Sequence, residues 1–188
     1  MTFPFLPIWV LPNWLQPEGD RFVRSSLQVI EMVLEKVNLP IIVKEVGQGM
    51  GMESLRALMQ LPLAAIDFAA NGGTNFARLE MLRGDEAKAA IYEQLAHVGH
   101  SAAEMTLMAN QLLEELGDKA VCRQFIISGG VRTFLDGYYL TQKLNAPAIY
   151  GQASSFLRHA RGSYEELQAY VAAQIEGLEL ANAFLRVR

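Results

Sequence analysis

Two hydrophobic periodicities alternate along the chain. Ile41-Ile42-Val43, Ala64-Ala65-Ile66-Asp67-Phe68, Gln124-Phe125-Ile126-Ile127 and Ala148-Ile149-Tyr150 are short runs of mostly β-branched, aromatic and other apolar residues. Each has Pro before it or Gly soon after it, as buried parallel strands tend to have. Between these runs the spacing changes to that of helices. Residues 22–37 place Phe22, Leu27, Ile30, Val33, Leu34 and Val37 on one repeating face. Residues 53–59 predict a short helix, and residues 101–116 a longer one that opens with the capping-box spelling Ser101-Ala102-Ala103-Glu104. Residues 134–144 and 164–184 predict two more, the last a long amphipathic helix.

Strand, glycine-bearing loop, helix, strand is the rhythm of a parallel sheet, because parallel neighbours need a crossover that a helix supplies. The predicted class is α/β. The unusual residues collect in the loops after the four strands, at residues 44–51, 71–76, 128–132 and 151–154. In (β/α)8 barrels and open α/β sheets alike, ligands bind at the C-terminal ends of strands, so all four loops aim at one site. Four strands, with a fifth near residues 8–11, make about half of the eight that a barrel of ~250 residues requires.

Composition narrows the class of protein. The chain has 188 residues, 51% hydrophobic and 19% charged, which predicts one globular domain with material for a core. The net charge of −4 gives no broad basic field, so no nucleic-acid partner is expected and any phosphate site must be local. The single cysteine, Cys122, excludes an intramolecular disulfide and fits a reducing compartment, with the cytoplasm as the expectation. The apolar start, residues 1–12, is interrupted by Pro4, Pro7 and Pro12 and carries no leading Lys or Arg, so neither a membrane segment nor a signal peptide is expected.

Ser128-Gly129-Gly130-Val131-Arg132 follows a strand and precedes a helix, where glycines let backbone N–H groups approach an anion. A tight βα turn accounts for the same spelling. Gly151-Gln152-Ala153-Ser154 after the next strand adds a second loop, and paired loops after consecutive strands form the phosphate site of many barrels. Lys44 ends an apolar strand and needs a partner; it is either half of an ion pair, with Glu45, Asp67 or a neighbour, or a cation aimed at a phosphate or electron-rich ring. Thr74 and Asn75 offer donors to a ligand or a cap to the next helix. His97, His100 and His159 share no metal-ligand spacing with one another or with Cys122, which reads as packing.

Taken together, Gln16-Pro17-Glu18-Gly19-Asp20-Arg21, Pro40-Ile41-Ile42-Val43-Lys44-Glu45-Val46-Gly47, Gly72-Gly73-Thr74-Asn75-Phe76 and Ser128-Gly129-Gly130 resemble the type 2 isopentenyl-diphosphate isomerase family. That resemblance covers residues 14–160 and implies the C-terminal half of an FMN-dependent (β/α)8 TIM barrel. It implies FMN contacts at Lys44, Ala69, Thr74, Gly130, Val131, Arg132, Gly151 and Gln152. Ala69 stands where many members carry serine or glycine. The family uses Mg²⁺ and NADPH as well. Its magnesium carboxylate and the neighbouring glutamine fall on Asn13 and Pro12, and the His and Asn upstream of them on Pro7 and Trp9, so the metal ligand is not retained.

The resemblance thus implies an enzyme that interconverts isopentenyl and dimethylallyl diphosphate, truncated and inactive by itself. The alternative is a non-catalytic half barrel that binds FMN or phosphate, or only self-associates. The expected organisation is a divergent segment over 1–13, the half barrel over 14–162 and a C-terminal helix over 163–188. Unpaired strand edges predict a homo-oligomer or a barrel completed by a partner.

Overall fold

The computed structural model describes residues 24–188, apart from the side chains of Glu86 and Lys88. The fifth strand expected near residues 8–11, the polar word at 16–21, the positions Pro7, Trp9, Pro12 and Asn13, and Phe22 lie outside the described residues.

Helix α1 (Ser26–Lys36) starts at Ser25, whose hydroxyl accepts from the Gln28 N–H while the Gln28 side chain accepts from the Ser25 N–H. Strand β1 (Ile42–Lys44), helix α2 (Met52–Met59) and strand β2 (Ala65–Asp67) follow. An excursion then carries helix α3 (Phe76–Arg83), helix α4 (Glu86–Tyr92) and a 3-10 turn (Glu93–His97). Helix α5 (Ala102–Leu116), strand β3 (Phe125–Ile127), helix α6 (Phe134–Lys143) and strand β4 (Ala148–Tyr150) continue the βα alternation. Helices α7 (Ser154–Ala160) and α8 (Tyr164–Phe184) complete the chain.

The four strands pair in parallel in the order β1-β2-β3-β4. The register aligns Val43, Ile66, Phe125 and Ala148 in one row and Lys44, Asp67, Ile126 and Ile149 in the next. Successive side chains point to opposite faces, so the two rows face opposite ways. The first faces the core. Val43, Ile66, Phe125 and Ile127 pack there with Leu55, Leu58 and Met59 of α2 and with Met105, Ala109, Leu112 and Leu113 of α5. Those faces drive the fold, at ~25 cal/mol for each Å² of apolar area removed from water.

The expected half (β/α)8 barrel is corrected here. The described strands form one open, four-stranded α/β sheet in which β1 and β4 each have a single neighbour. Among the described residues these three-residue strands leave β1 and β4 as edges of a short sheet, and no barrel is shown.

Two further differences have local causes. The 76–97 excursion has a small core of its own, Ala77, Met81 and Ala96, while Leu79 and Leu82 of α3 are exposed. Its apolar residues therefore do not mark one clean helical stripe. Helix α8 forms over the expected residues, yet only Gly177 and Ala181 are buried, and Ile175, Leu180 and Phe184 face outward. It docks through small residues: a Cβ on Gly177 would meet the Phe134 ring at 2.6 Å. Tyr170 adds an edge contact to Phe156 at 5.2 Å and a stack on His159 at 4.2 Å. Among the described residues no helix is long and apolar enough to cross a membrane.

Candidate functional site

The C-terminal ends of the four strands open into one cleft of about 680 Å³, within the range of ligand-binding sites. Lys44, Ala69, Thr74, Gly130, Val131, Arg132, Gly151 and Gln152 all line it. The loops that hold them are locked to one another. Glu45 N–H donates to the Asp67 carbonyl at 3.2 Å, Gly49 N–H to that of Ala69 at 3.2 Å, and Ala70 N–H to that of Ser128 at 2.9 Å.

Glycine is required where these loops cross. Gly129, at φ +86, lies against the Ala70 backbone, and Gly130, at φ +74, lies against the Asn71 carbonyl, where a Cβ would come to 2.7 Å. The Gly-Gly pair is thus both a tight turn and a bare stretch of backbone at the mouth of the cleft.

The β1 side of the cleft carries a charged network. Lys44 Nζ donates to Asp67 Oδ2 at 2.5 Å and, at a longer 3.4 Å, to Ser128 Oγ. The Ser128 hydroxyl donates to Asp67 Oδ1, and the Ala69 N–H reaches both Asp67 Oδ1 at 3.2 Å and Ser128 Oγ at 3.1 Å. The Asp67 side chain is 10% exposed and that of Lys44 58%. Of the two alternatives in the sequence the ion pair is formed, with Asp67, and the same half-exposed side chain lines the cleft.

Glu45, next along the strand, does structural work. Its Oε2 accepts N–H bonds from Gly47 at 2.6 Å, Gln48 at 2.7 Å and Gly49 at 2.9 Å, which fixes the loop after β1. Its Oε1 is buried without a partner among the described residues. Burial pushes the Glu45 carboxyl above the ordinary carboxylate range, against the opposing pull of those N–H bonds.

The other side of the cleft presents hydrogen-bond donors without partners among the described residues. Gly130, Val131, Gln152 and Ala153 have backbone N–H groups that make no hydrogen bond within the described residues. The exposed Arg132 guanidinium has no carboxylate partner there either. Gln152 Nε2 is buried and unpartnered, a donor without an acceptor. Helix α6 itself is not the anion site: Asp136 Oδ2 already accepts from Arg132 N–H at 3.2 Å and Thr133 N–H at 2.9 Å. The positive end of that helix is neutralised by its own residue.

Thr74 is exposed on the cleft wall, whereas Asn75 caps α3, accepting from the Arg78 N–H at 2.9 Å. Cys122 is buried, and burial raises its thiol, so it is packing and no nucleophile. No group of three or more His, Cys, Asp and Glu side chains among the described residues could hold a metal ion. The sequence offers Asp67 only as one possible partner of Lys44 and Ser128 only as the first residue of the glycine loop; their contact with each other is not foreseen there. The strand register decides among the offered partners by bringing Asp67 beside Lys44.

No known protein-family profile matches the chain. Curated relatives do. The chain is 31% identical over 170 residues to the isopentenyl-diphosphate delta-isomerase of Ignicoccus hospitalis, covering 88% of this chain and 44% of the relative. It is 34% identical over 169 residues to that of Bacillus licheniformis, covering 90% and 44%. It is 33% identical over 173 residues to that of Stutzerimonas stutzeri, covering 91% and 47%. The chain thus spans less than half the length of these relatives. Their names carry no type designation, so the narrower resemblance to the type 2 family is corrected: the similarity reaches proteins named isopentenyl-diphosphate delta-isomerase, without further division.

Proposed function

We propose that this chain contributes the cofactor-holding part of an isomerase that interconverts isopentenyl and dimethylallyl diphosphate in isoprenoid biosynthesis, with FMN as the cofactor. The observation that carries the reading is a wall of the cleft with donors to spare: the N–H groups of Gly130, Val131, Gln152 and Ala153, the Arg132 guanidinium and Gln152 Nε2, all without partners among the described residues. The set suits a phosphate monoester. Lys44 and Thr74 line the same cleft, whose volume of about 680 Å³ has room for a ring.

In this reading Gly130, Val131, Arg132, Gly151 and Gln152 hold the FMN phosphate, while Lys44, Ala69 and Thr74 orient the ring. The chemistry that reduced FMN supplies when bound is proton transfer at the allylic carbons. The residues of this chain bind and orient. No residue described here is proposed for Mg²⁺ or NADPH. Isoprenoid diphosphate is the proposed substrate class, and residues beyond this chain's matched half of the relatives would contact it.

The test is titration of the purified chain with FMN, followed by visible absorbance. The reading expects a perturbed flavin spectrum that Arg132→Ala weakens by ~1–3 kcal/mol, the worth of a charge-assisted hydrogen bond. Free-flavin spectra at every concentration would sink it. A second reading, a non-catalytic module that self-associates, is favoured by one observation: Ile149, in the middle of edge strand β4, is 65% exposed.

A further inference from the structure

Asp67 is the most completely committed polar side chain in the cleft. Oδ2 receives the Lys44 ammonium at 2.5 Å, and Oδ1 receives the Ser128 hydroxyl and the Ala69 N–H. Its donors come from the end of β1, its own loop and the loop after β3, so the carboxylate is fixed from three directions. Lys44 is the opposite: a long cation with its side chain more than half exposed and, among the described residues, no carboxylate other than Asp67 in its contacts. The ordered partner therefore dictates the position of the mobile one. An ammonium has three N–H donors. One goes to Asp67, a second makes the long contact to Ser128, and the remaining capacity is open to the cleft.

We propose that Asp67 is a positioning residue: held by Ser128 and the Ala69 N–H, it anchors the Lys44 ammonium so that its free donor capacity faces the ligand ring in the cleft. The inference deepens the flavin reading above and rests on it for the identity of the ligand. Asp67 also balances the Lys44 charge. Its neutralisation leaves an uncompensated cation beside the ring, which favours the anionic, reduced form of a flavin.

Two measurements on the full chain test this, and they fail separately. The first needs no flavin: the rate at which an acylating reagent modifies Lys44, read by mass spectrometry, with the exposed Lys36 and Lys119 as internal references. Asp67→Asn is expected to speed modification of Lys44 by roughly two- to fivefold, the scale of an exposed ion pair, while leaving the references unchanged. Ser128→Ala, which keeps the carboxylate but removes one of its anchors, is expected to give a smaller increase. Rates that rise alike at all three lysines, or at none, would overturn the proposal, and Ser128→Ala decides the matter should Asp67→Asn fold poorly.

The second measurement is the reduction potential and spectrum of FMN bound to each variant. Asp67→Asn is expected to raise the potential and weaken binding relative to the unsubstituted chain. An unchanged potential and affinity, despite faster labelling, would overturn the role toward the ligand and leave an ion pair only. If the unsubstituted chain itself takes up no FMN, the flavin reading fails, and Lys44 labelling then shows whether the anchor stands without it.

Discussion

Gly129 rides directly over Ala70: a Cβ added to Gly129 would lie 2.0 Å from the Ala70 carbonyl oxygen and 2.4 Å from its nitrogen. Both atoms are backbone, so no side-chain rotation relieves the overlap. The positive φ of Gly129 adds a conformational cost for any other residue. Gly129→Ala is expected to lower stability by more than ~1 kcal/mol and to disturb the anion loop with it. Urea denaturation, with phosphate or FMN binding measured on the folded fraction, checks both effects.

Ala69 carries the converse strain. It is the non-glycine residue with positive φ among the described residues, at +39, held by its N–H bonds to Asp67 and Ser128. Ala69→Gly keeps those bonds and releases the strain, so a gain of about 1 kcal/mol is expected. A melting temperature that falls would show that the Ala69 methyl, buried in the cleft wall, is worth more than the strain.

Glu45 sets a pH dependence whose sign follows from its raised folded-state pKa. The folded chain holds that proton more tightly than the unfolded chain. Its stabilising effect is full below the ordinary glutamate range and is lost as pH rises through the folded value. Glu104 and Glu115 are shifted the other way, by hydrogen bonds from Ser101 and from Gln111 and Arg56 respectively. Their stabilisation is present above the unfolded value and is lost as pH falls through the folded one, a lower window. Denaturation curves taken as pH falls from neutrality toward the ordinary glutamate range should show rising stability from Glu45, and Glu45→Gln should flatten that rise.

Ile149 and Ile42 place apolar side chains, 65% and 54% exposed, on the two edge strands of the open sheet. Unpaired edges with exposed apolar residues favour association between chains. Sedimentation at micromolar concentration is expected to show species larger than 20.9 kDa, and Ile149→Lys to reduce them. A single compact monomer for both proteins would rule this out.

The strands were legible because each short apolar run lies beside a Pro or Gly that marks its end; β4, after Pro147, forms over the expected three residues. The α5 capping box was legible for a similar reason, since Ser101 and Glu104 name both halves of the device. Helix α7 was not, because Ser154–Ala160 is short, buries no residue and has no side-chain cap. Neither was the docking of α8, where the relevant contact is the space over Gly177 and a hydrophobic count favours the exposed Ile175 and Leu180. In the cleft, local motifs named the loop glycines and Lys44. The tie from Lys44 through Asp67 to Ser128 spans 84 residues of sequence and exists only once the strands are in register.

One row of side chains across the sheet has a direction. It begins with the ammonium of Lys44, passes the carboxylate of Asp67, and continues through Ile126 to Ile149. Wetting therefore changes from one edge of the sheet to the other, within the width of four strands. A molecule lying across that row meets a hydrophilic bank and an oily one, and an amphiphile has one favoured heading. The strand register alone gives this face of the sheet a built-in polarity, independent of the loops.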